Sequence, residues 1–370
     1  MGAYLHYFGV GTPIAYRMAQ PDKLTRRSRA PWREEATLSY ILILVGSLGL
    51  ILVGAELFTN GIEWAGRLLR LPQSAVGSVL AAVGTALPET LIPIIAIVFG
   101  TEADRNQIGL GAILGAPFML STLAFPVSGL AVLTYARRRR RSRVIGADPG
   151  MLRRDLGFFL IVYSIAIGTA FVPRPGLQPA AAIFLILCYG LYVYRTISAR
   201  RQGGEGEELR PLNFDPRRRT PRPGRVVLQV VGAVSGIVLG ARVFVQGIEH
   251  LSLAAGISPF LLAVIVAPIA TELPEKFNSV IWLRRGQDTL AMGNITGAMV
   301  FQSSVIPAIG MLLMPWVLAP LQFWNAALAL GSAALIYALQ RFRGRLSAWS
   351  LLWGGAFYAA FIALILGHRP

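Results

Sequence analysis

Long apolar segments alternate with short polar loops along most of this 370-residue chain. A run of about 20 apolar residues is long enough to cross the hydrocarbon core of a bilayer as a helix. Ten such runs are present, and we predict that each forms a membrane-spanning helix. They cover approximately residues 38–58, 73–99, 107–134, 155–172, 179–197, 226–247, 257–283, 289–315, 320–340 and 347–367.

Two hydrophilic segments organise these helices. Residues 1–37 are mixed and charged, and they lack the basic start, apolar run and cleavage site of a secretory signal, so we interpret them as an N-terminal tail. Residues 198–225 are rich in Arg, Glu, Gly and Pro and form one long basic linker. We therefore expect two domains of five helices each, 38–197 and 226–370.

The arginines in the short loops predict the orientation. Lys and Arg concentrate in cytoplasmic loops, and most of the 35 basic residues fall on the side of the linker when alternate loops are assigned to alternate sides. We therefore expect the linker to be cytoplasmic and the protein to lie in a prokaryotic inner or plasma membrane. The N-terminal tail is an exception, since it is basic and this assignment places it outside.

Composition supports the membrane class and bears on possible partners. Hydrophobic residues make up 54% of the chain and charged residues only 14%, well below a soluble domain. A net charge of +17 could indicate nucleic-acid binding, but the charge lies in loop runs such as 137–141 and 217–219. Because no basic helix or aromatic-studded sheet accompanies those runs, we exclude nucleic acid. The expected partners are the lipid bilayer and inorganic cations, and the sequence leaves the oligomeric state open.

Cysteine and histidine are nearly absent. One Cys and three His give no zinc-ligand spacing, so a bound metal would have to be a hard ion held by oxygen, such as calcium or sodium. There is no mid-membrane His and no HExxH motif, so we do not expect an enzyme. We also expect no permanently bound cofactor, only transported calcium, sodium or protons.

The two halves share a repeated segment. Residues 54–89 and 240–275, 186 positions apart, are identical at eleven of 36 positions without a gap. The matches include Gly, Thr, Pro and Glu, which chance similarity between apolar helices rarely reproduces. Because each half has five helices, the second copy starts from the opposite side of the membrane. The predicted fold is an all-α membrane protein of about ten helices in two inverted five-helix repeats, an architecture found in many transporters.

Each repeat ends on Leu-Pro-Glu. A carboxylate deep in an apolar segment costs about 2.5–3.5 kcal/mol on insertion scales and usually marks an ion path or proton relay. Thr85 and Glu89 are four residues apart and share a helix face, and Thr271 and Glu275 repeat this spacing. The proline between them removes a backbone donor and frees a carbonyl one turn earlier. Two inverted copies would form an oxygen cage with a charge of −2, which suits a divalent cation, or sodium ions and protons in exchange.

These segments resemble the repeats of the calcium/cation antiporter superfamily, in its sodium/calcium exchanger branch. That family has a Gly-Thr-Ser-Leu-Pro-Glu helix, followed by a helix with Gly-Asn-x-x-Gly-Ser and a further Asn or Asp. The resemblance implies that Glu89 and Glu275 bind the metal ion and that Thr85 and Thr271 contribute oxygens. It also implies exchange by alternating access.

The first half departs from the family pattern by losing oxygens. Ala112, Ala116 and Leu120 occupy the positions of the family's Asn, Ser and final amide or acid. The second half keeps more polar groups, because Asn294 is retained and Gln302 occupies the final position. We therefore expect a lopsided cation site to which the second half contributes most ligands.

The second half also gains a carboxylate, Glu272, in place of the family's Ser. Lys276 lies four residues later, so it can neutralise Glu272 and leave the two repeat glutamates as the working site. Alternatively, Glu272 or Lys276 exchanges a proton and couples transport to protons. A separate hypothesis is that Glu56 and Arg242, which occupy equivalent repeat positions, pair across the symmetry axis.

The sequence thus favours a secondary cation antiporter that moves calcium in exchange for sodium or protons around Glu89 and Glu275. Its candidate cation ligands are Glu89, Glu275, Thr85, Thr271, Glu272, Asn294 and Gln302. A monovalent cation/proton antiporter is an alternative. A membrane channel or scaffold that shares the fold without exchanging ions is another.

Overall fold

A computed structural model describes the protein over residues 31–69, 87–101, 105–137, 142–172, 174, 176–200 and 210–367. Within these ranges, the side chains of residues 31–37, 87, 105, 197, 199–200, 270 and 273–278 lie outside the description. The predictions for Thr85, and for the side chains of Glu275 and Lys276, therefore fall outside the described residues.

Eleven α-helices form the described structure. The first half contains α1 (Pro31–Leu68), α2 (Leu87–Phe99), α3 (Leu110–Met119), α4 (Phe125–Arg137), α5 (Pro149–Gly168) and α6 (Leu177–Arg200). The second half contains α7 (Pro223–Ala255), α8 (Pro259–Arg284), α9 (Asp288–Leu313), α10 (Pro320–Arg343) and α11 (Ala348–Gly367). Two-residue strands, β1 (Val144–Ile145) and β2 (Leu346–Ser347), pair antiparallel in an otherwise helical fold.

Eight helical spans in the described residues are long and apolar enough to cross a membrane. One of them runs unbroken through α3 and α4, joined by the π-helical turn Leu120–Ala124. The two remaining predicted spans are those with Leu-Pro-Glu, where only the shorter apolar pieces Pro88–Phe99 and Pro259–Ile269 qualify. α8 is continuous from Pro259 to Arg284, but its side chains at 270 and 273–278 lie outside the description, as do residues 70–86 before α2.

Helix directions define two faces of the molecule. We call the end where α1, α6, α8 and α10 finish, next to residues 210–222, the linker face. The other end, where α2, α7 and α9 finish, is the opposite face. α1 begins inside the predicted tail, and α7 extends beyond the predicted span at both ends, so both helices are longer than a bilayer requires.

Glycines let α1 and α7 cross at close range. A Cβ added to Gly54 would lie 2.6 Å from Ile237 Cγ1, and one added to Gly240 would lie 2.8 Å from Ile51 Cγ1. Since Gly54 and Gly240, like Ile51 and Ile237, are 186 residues apart, each contact is the repeat image of the other. The crossing of α1 and α7 therefore has the two-fold symmetry of an inverted repeat.

The hypothesis that Glu56 pairs with Arg242 is wrong. Glu56 Oε1 lies 3.6 Å from Arg210 Nη1, and the Arg242 guanidinium lies 4.2 Å from the centroid of the Phe99 ring. The helices are antiparallel, so inversion sends equivalent positions to opposite faces. Glu56 therefore belongs to the linker face and Arg242 to the opposite face.

The end of the linker is folded onto the crossed helices. Gln229 of α7 is fully buried and donates to Leu57 O at 2.8 Å and to Asn60 Oδ1 at 3.0 Å. Its own Oε1 accepts from the backbone N–H of Phe214 at 2.9 Å, and Leu212 is fully buried beside Trp64. Residues 210–215 are thus a docked strap on the linker face, inside a segment for which the sequence predicted only a hydrophilic linker.

Candidate cation site

Glu89 lies in a buried position on α2. Its side chain is 7% exposed, and α2 packs against α3, α7, α8 and α9. A carboxylate at this depth is the costly placement that the sequence predicted. The first half therefore brings a buried acid, Glu89, to the interface with α8 and α9.

α8 brings the second copy of the motif. Thr271 is 4% exposed, and its hydroxyl donates to Ala267 O on its own helix at 3.1 Å. Glu272 follows it with an exposure of only 1%. The helix continues through the backbone of 273–278, where Pro274 has no N–H to donate to the carbonyl one turn earlier.

A polar seam joins α8 to α9. At one end, Gln302 Nε2 donates to Glu272 Oε1. At the other end, the Ser279 hydroxyl donates to Asn294 Oδ1 at 3.2 Å. Since 272 and 279 are seven residues apart on α8, and 294 and 302 eight apart on α9, the two contacts occupy one face of each helix. The stretch of α8 that contains Glu275 lies between them.

The structure thus brings three of the predicted ligands, Glu272, Asn294 and Gln302, to a single helix interface. Ser279 was missed by the sequence reasoning. Its signal was available, because it lies four residues after Glu275 and therefore on the same helical face.

The first half offers apolar surface where the family places oxygens. Ala112, Ala116 and Leu120 are all buried, with exposures of 6%, 5% and 0%. The nearby hydroxyls of Ser121 and Thr122 donate to carbonyls of their own helix, those of Pro117 at 2.8 Å and Phe118 at 2.6 Å. Among the described residues, no three His, Cys, Asp or Glu side chains group as metal ligands. The described first-half positions 112, 116 and 120 therefore present no side-chain oxygen.

A further buried carboxylate, Asp155, lies on the other side of α9. Asp155 of α5 is 1% exposed and accepts hydrogen bonds from Arg154 Nε at 2.9 Å and Tyr192 at 2.9 Å. Thr296 of α9 donates to its other oxygen at 2.8 Å. The sequence reasoning missed this network because it began the predicted span at residue 155, which placed the acid at a helix end. The helix in fact begins at Pro149.

Comparison with known proteins identifies the family. A profile of sodium/calcium exchanger proteins matches residues 39–198 and 225–367, which together make up most of the chain. The chain belongs to the sodium/calcium exchanger family. This is a family of membrane transporters and not of enzymes.

Individual relatives of this exchanger-family chain are distant but nearly full-length. Inner membrane protein YrbG of Escherichia coli is 24% identical over 82% of this chain and 88% of its own length. Sodium/calcium exchanger MaX1 of Methanosarcina acetivorans is 20% identical over 89% of this chain and 99% of its own length. The crystal structure of the H⁺/Ca²⁺ exchanger CAX superposes with a TM-score of 0.64 at 20% identity, covering 91% of this chain and 82% of that one. That likeness shows a shared fold of helical membrane exchangers.

Proposed function

We propose that this member of the sodium/calcium exchanger family moves calcium in exchange for sodium or protons by alternating access around Glu89 and Glu275. The observation that carries the proposal is the burial of Glu89 on a helix packed against α8 and α9, whose seam is lined by Glu272 and Gln302. A buried carboxylate opposite a polar seam supplies the oxygen ligands that a hard cation needs.

The proposed ligands come unequally from the two halves. Glu89 and Thr85 serve from the first half, whereas Thr271, Glu272, Glu275, Asn294 and Gln302 serve from the second. With few first-half oxygens, a full set of separate sodium sites is unfavourable. This favours a single cation site whose occupant alternates.

Glu272, in the seam between α8 and α9, favours protons as the coupling ion. Glu272 is an acid that the first-half copy of the motif lacks, and its oxygen accepts from a neutral amide at a position with 1% exposure. We propose that Glu272, with Lys276 one turn later, exchanges the proton.

The relatives support the same class of cargo. CAX is described as an H⁺/Ca²⁺ exchanger and MaX1 as a sodium/calcium exchanger, so both proposed coupling ions occur among proteins similar to this one. We further propose that the linker face is cytoplasmic, because the basic loops lie on that face, and that the protein lies in a prokaryotic inner membrane.

Radiocalcium uptake into everted vesicles, driven in turn by a sodium gradient and by a proton gradient, tests the proposal. Glu89→Gln and Glu275→Gln should abolish uptake under either gradient. Glu63→Gln is the matched control, since it removes a carboxylate from the repeat outside Leu-Pro-Glu, and it should leave uptake within about twofold. Full uptake in both site variants would refute the assignment.

Two further measurements separate the alternatives. A carrier accelerates uptake when the vesicles are loaded with its substrate, whereas a channel or scaffold does not. Unchanged pH dependence in both Glu272→Gln and Lys276→Met would rule out these residues as the proton-coupling groups. Uptake of sodium or potassium without calcium would favour monovalent cation/proton exchange.

A further inference from the structure

The helix packing breaks the symmetry of the repeats at one pair of contacts. Under the 186-residue offset, α1 corresponds to α7 and α2 to α8, so the pair α2–α7 is the repeat image of the pair α8–α1. In the described residues, α2 packs along α7, whereas α8 meets α1 only over a short stretch. The crossing of α1 with α7 is symmetric, so the asymmetry arises from where α2 and α8 sit against it.

A side-chain contact links α2 and α7, the more closely packed of these two helix pairs. The Arg242 guanidinium lies 4.2 Å from the centroid of the Phe99 ring, within the range of a cation–π interaction. Phe99 is the last residue of α2, so the contact bridges the two halves at the opposite face. A cavity of about 360 Å³ lies at this contact, bordered also by the polar side chains of Gln246 and Glu249.

The repeat images of these two residues carry opposite charges. Residue 242 corresponds to Glu56, and residue 99 corresponds to Arg285, which directly follows α8. Both belong to the linker face, where the described contact between α8 and α1 is short. In this structure Glu56 is paired with Arg210 of the docked strap at 3.6 Å, and its side chain is 69% exposed.

We infer that these four residues form two alternating latches. Arg242 on Phe99 holds the opposite face closed in the conformation described here. When the bundle passes to its other conformation, Glu56 leaves Arg210 and pairs with Arg285, which closes the linker face. The inference rests on the alternating-access exchange proposed above, and it assigns gating roles to residues outside the cation site.

The physical reason is the inverted repeat itself. Two halves of similar fold can exchange conformations, so each contact made by one half at one face has an image at the other face. A conformational equilibrium shifts only through contacts that differ between its two states. The contact of Arg242 with the Phe99 ring in one state and the Glu56–Arg285 ion pair in the other are contacts of this kind. Glu56 also couples the change to the strap, because Arg210 and Arg285 compete for one carboxylate.

Site-specific cross-linking tests the inference independently of transport. In a Cys188→Ala background, three cysteine pairs are made at 99/242, 56/285 and 56/210, and each is treated with a short bifunctional reagent that links thiols through reducible bonds. The pairs 99/242 and 56/285 each join the first half to the α7–α8 part of the second half. The pair 56/210 joins the first half to the strap. A protease site inserted among residues 201–209 and cut after the reaction therefore shows each link as joined halves on a gel.

The yields of the 99/242 and 56/210 links should change together when sodium, calcium or pH is varied. The yield of the 56/285 link should rise when those two yields fall. Each link should stop exchange, and reduction should restore it. Equal linking of 56/285 and 99/242 under every condition would overturn the inference, as would no 56/285 link in a protein that exchanges cations. Alternating links in a protein that exchanges none would leave the latches standing and refute the proposed function instead.

Charge exchange provides a second measurement. Glu56→Arg places like charges together at the linker face and should slow exchange about fivefold, the change that corresponds to the upper range of an exposed ion pair. Combining it with Arg285→Glu restores opposite charges and should bring exchange back to within about twofold of the parent. A double variant as slow as the single one would contradict the pairing.

Discussion

The carboxamide of Gln302 on α9 donates a hydrogen bond to the carboxylate of Glu272 on α8. Both residues are nearly fully buried, with exposures of 3% and 1%. At the equivalent sequence positions of the first half stand Ala86 and Leu120, neither of which can form such a bond. The contact is therefore a feature of the second half alone, and it joins the two helices that line the proposed cation site.

Removing the amide should weaken cation binding. Gln302→Leu removes a proposed cation ligand and the donor that positions the Glu272 carboxylate. Losing interactions of this kind costs about 1–3 kcal/mol, or roughly five- to 150-fold in affinity. The half-saturating calcium concentration for uptake measures the effect. Ser303→Ala is the control, because that hydroxyl donates only to Val300 O on its own helix. Equal half-saturation in both variants would show that the Gln302 contact does not support binding.

The Asp155 network should stabilise the packing of α9 on α5 and α6. Asp155→Asn places an amide among three donors, and weakening hydrogen bonds to a charged group costs about 1.5–3 kcal/mol. Thr296→Val removes a single hydrogen bond and should cost about 1 kcal/mol. Thermal unfolding of the purified protein in detergent compares the two. We expect Thr296→Val to unfold at a higher temperature than Asp155→Asn. An unfolding temperature of Thr296→Val equal to or below that of Asp155→Asn would contradict this prediction.

Equivalent glycines of the two halves should respond differently to alanine. A Cβ on Gly115 would lie 2.6 Å from Val264 O and 2.9 Å from Val264 Cα, so α3 and α8 would have to separate. Nothing lies within 4 Å of the Cβ position on Gly297, its counterpart on α9. Gly115→Ala should therefore destabilise the protein by about 1–3 kcal/mol, whereas Gly297→Ala should leave stability unchanged or slightly improved. Detergent-solubilised thermal stability checks both, and similar losses in the two variants would argue against this packing.

The docked strap depends on one buried glutamine. Gln229→Leu removes the bonds to Asn60, Leu57 O and Phe214 N, and it leaves these groups without this partner. We expect limited proteolysis near residues 210–215 to become several-fold faster, because the open form of the strap becomes more populated. Gln246→Leu, on an exposed part of the same helix, is the control and should be cut at the parental rate. Unchanged cleavage of Gln229→Leu would mean that the strap is held by other contacts.

Some features of the site could be predicted from sequence because they are local. Glu89 was identified by the cost of placing a carboxylate in an apolar segment, which requires no knowledge of its neighbours. Glu272 was identified because it replaces the Ser of the family motif. The loss of oxygens at Ala112, Ala116 and Leu120 was evident from the same comparison with the family motif. Asp155 was missed because its importance depends on where α5 begins, and helix ends are poorly defined by hydrophobicity alone.

The sequence by itself determined the membrane class, the number of long apolar segments, the inverted repeat and the acidic residues at its centre. These follow from segment length and from residue chemistry repeated at a fixed offset. The tertiary structure decided which partners those residues have: Gln302 for Glu272, Arg210 for Glu56, and Phe99 for Arg242. It also decided that Gly115 is tightly packed while Gly297 is not. The physical reason is that a repeated sequence is symmetric between halves, whereas one conformation of the bundle packs its two faces differently.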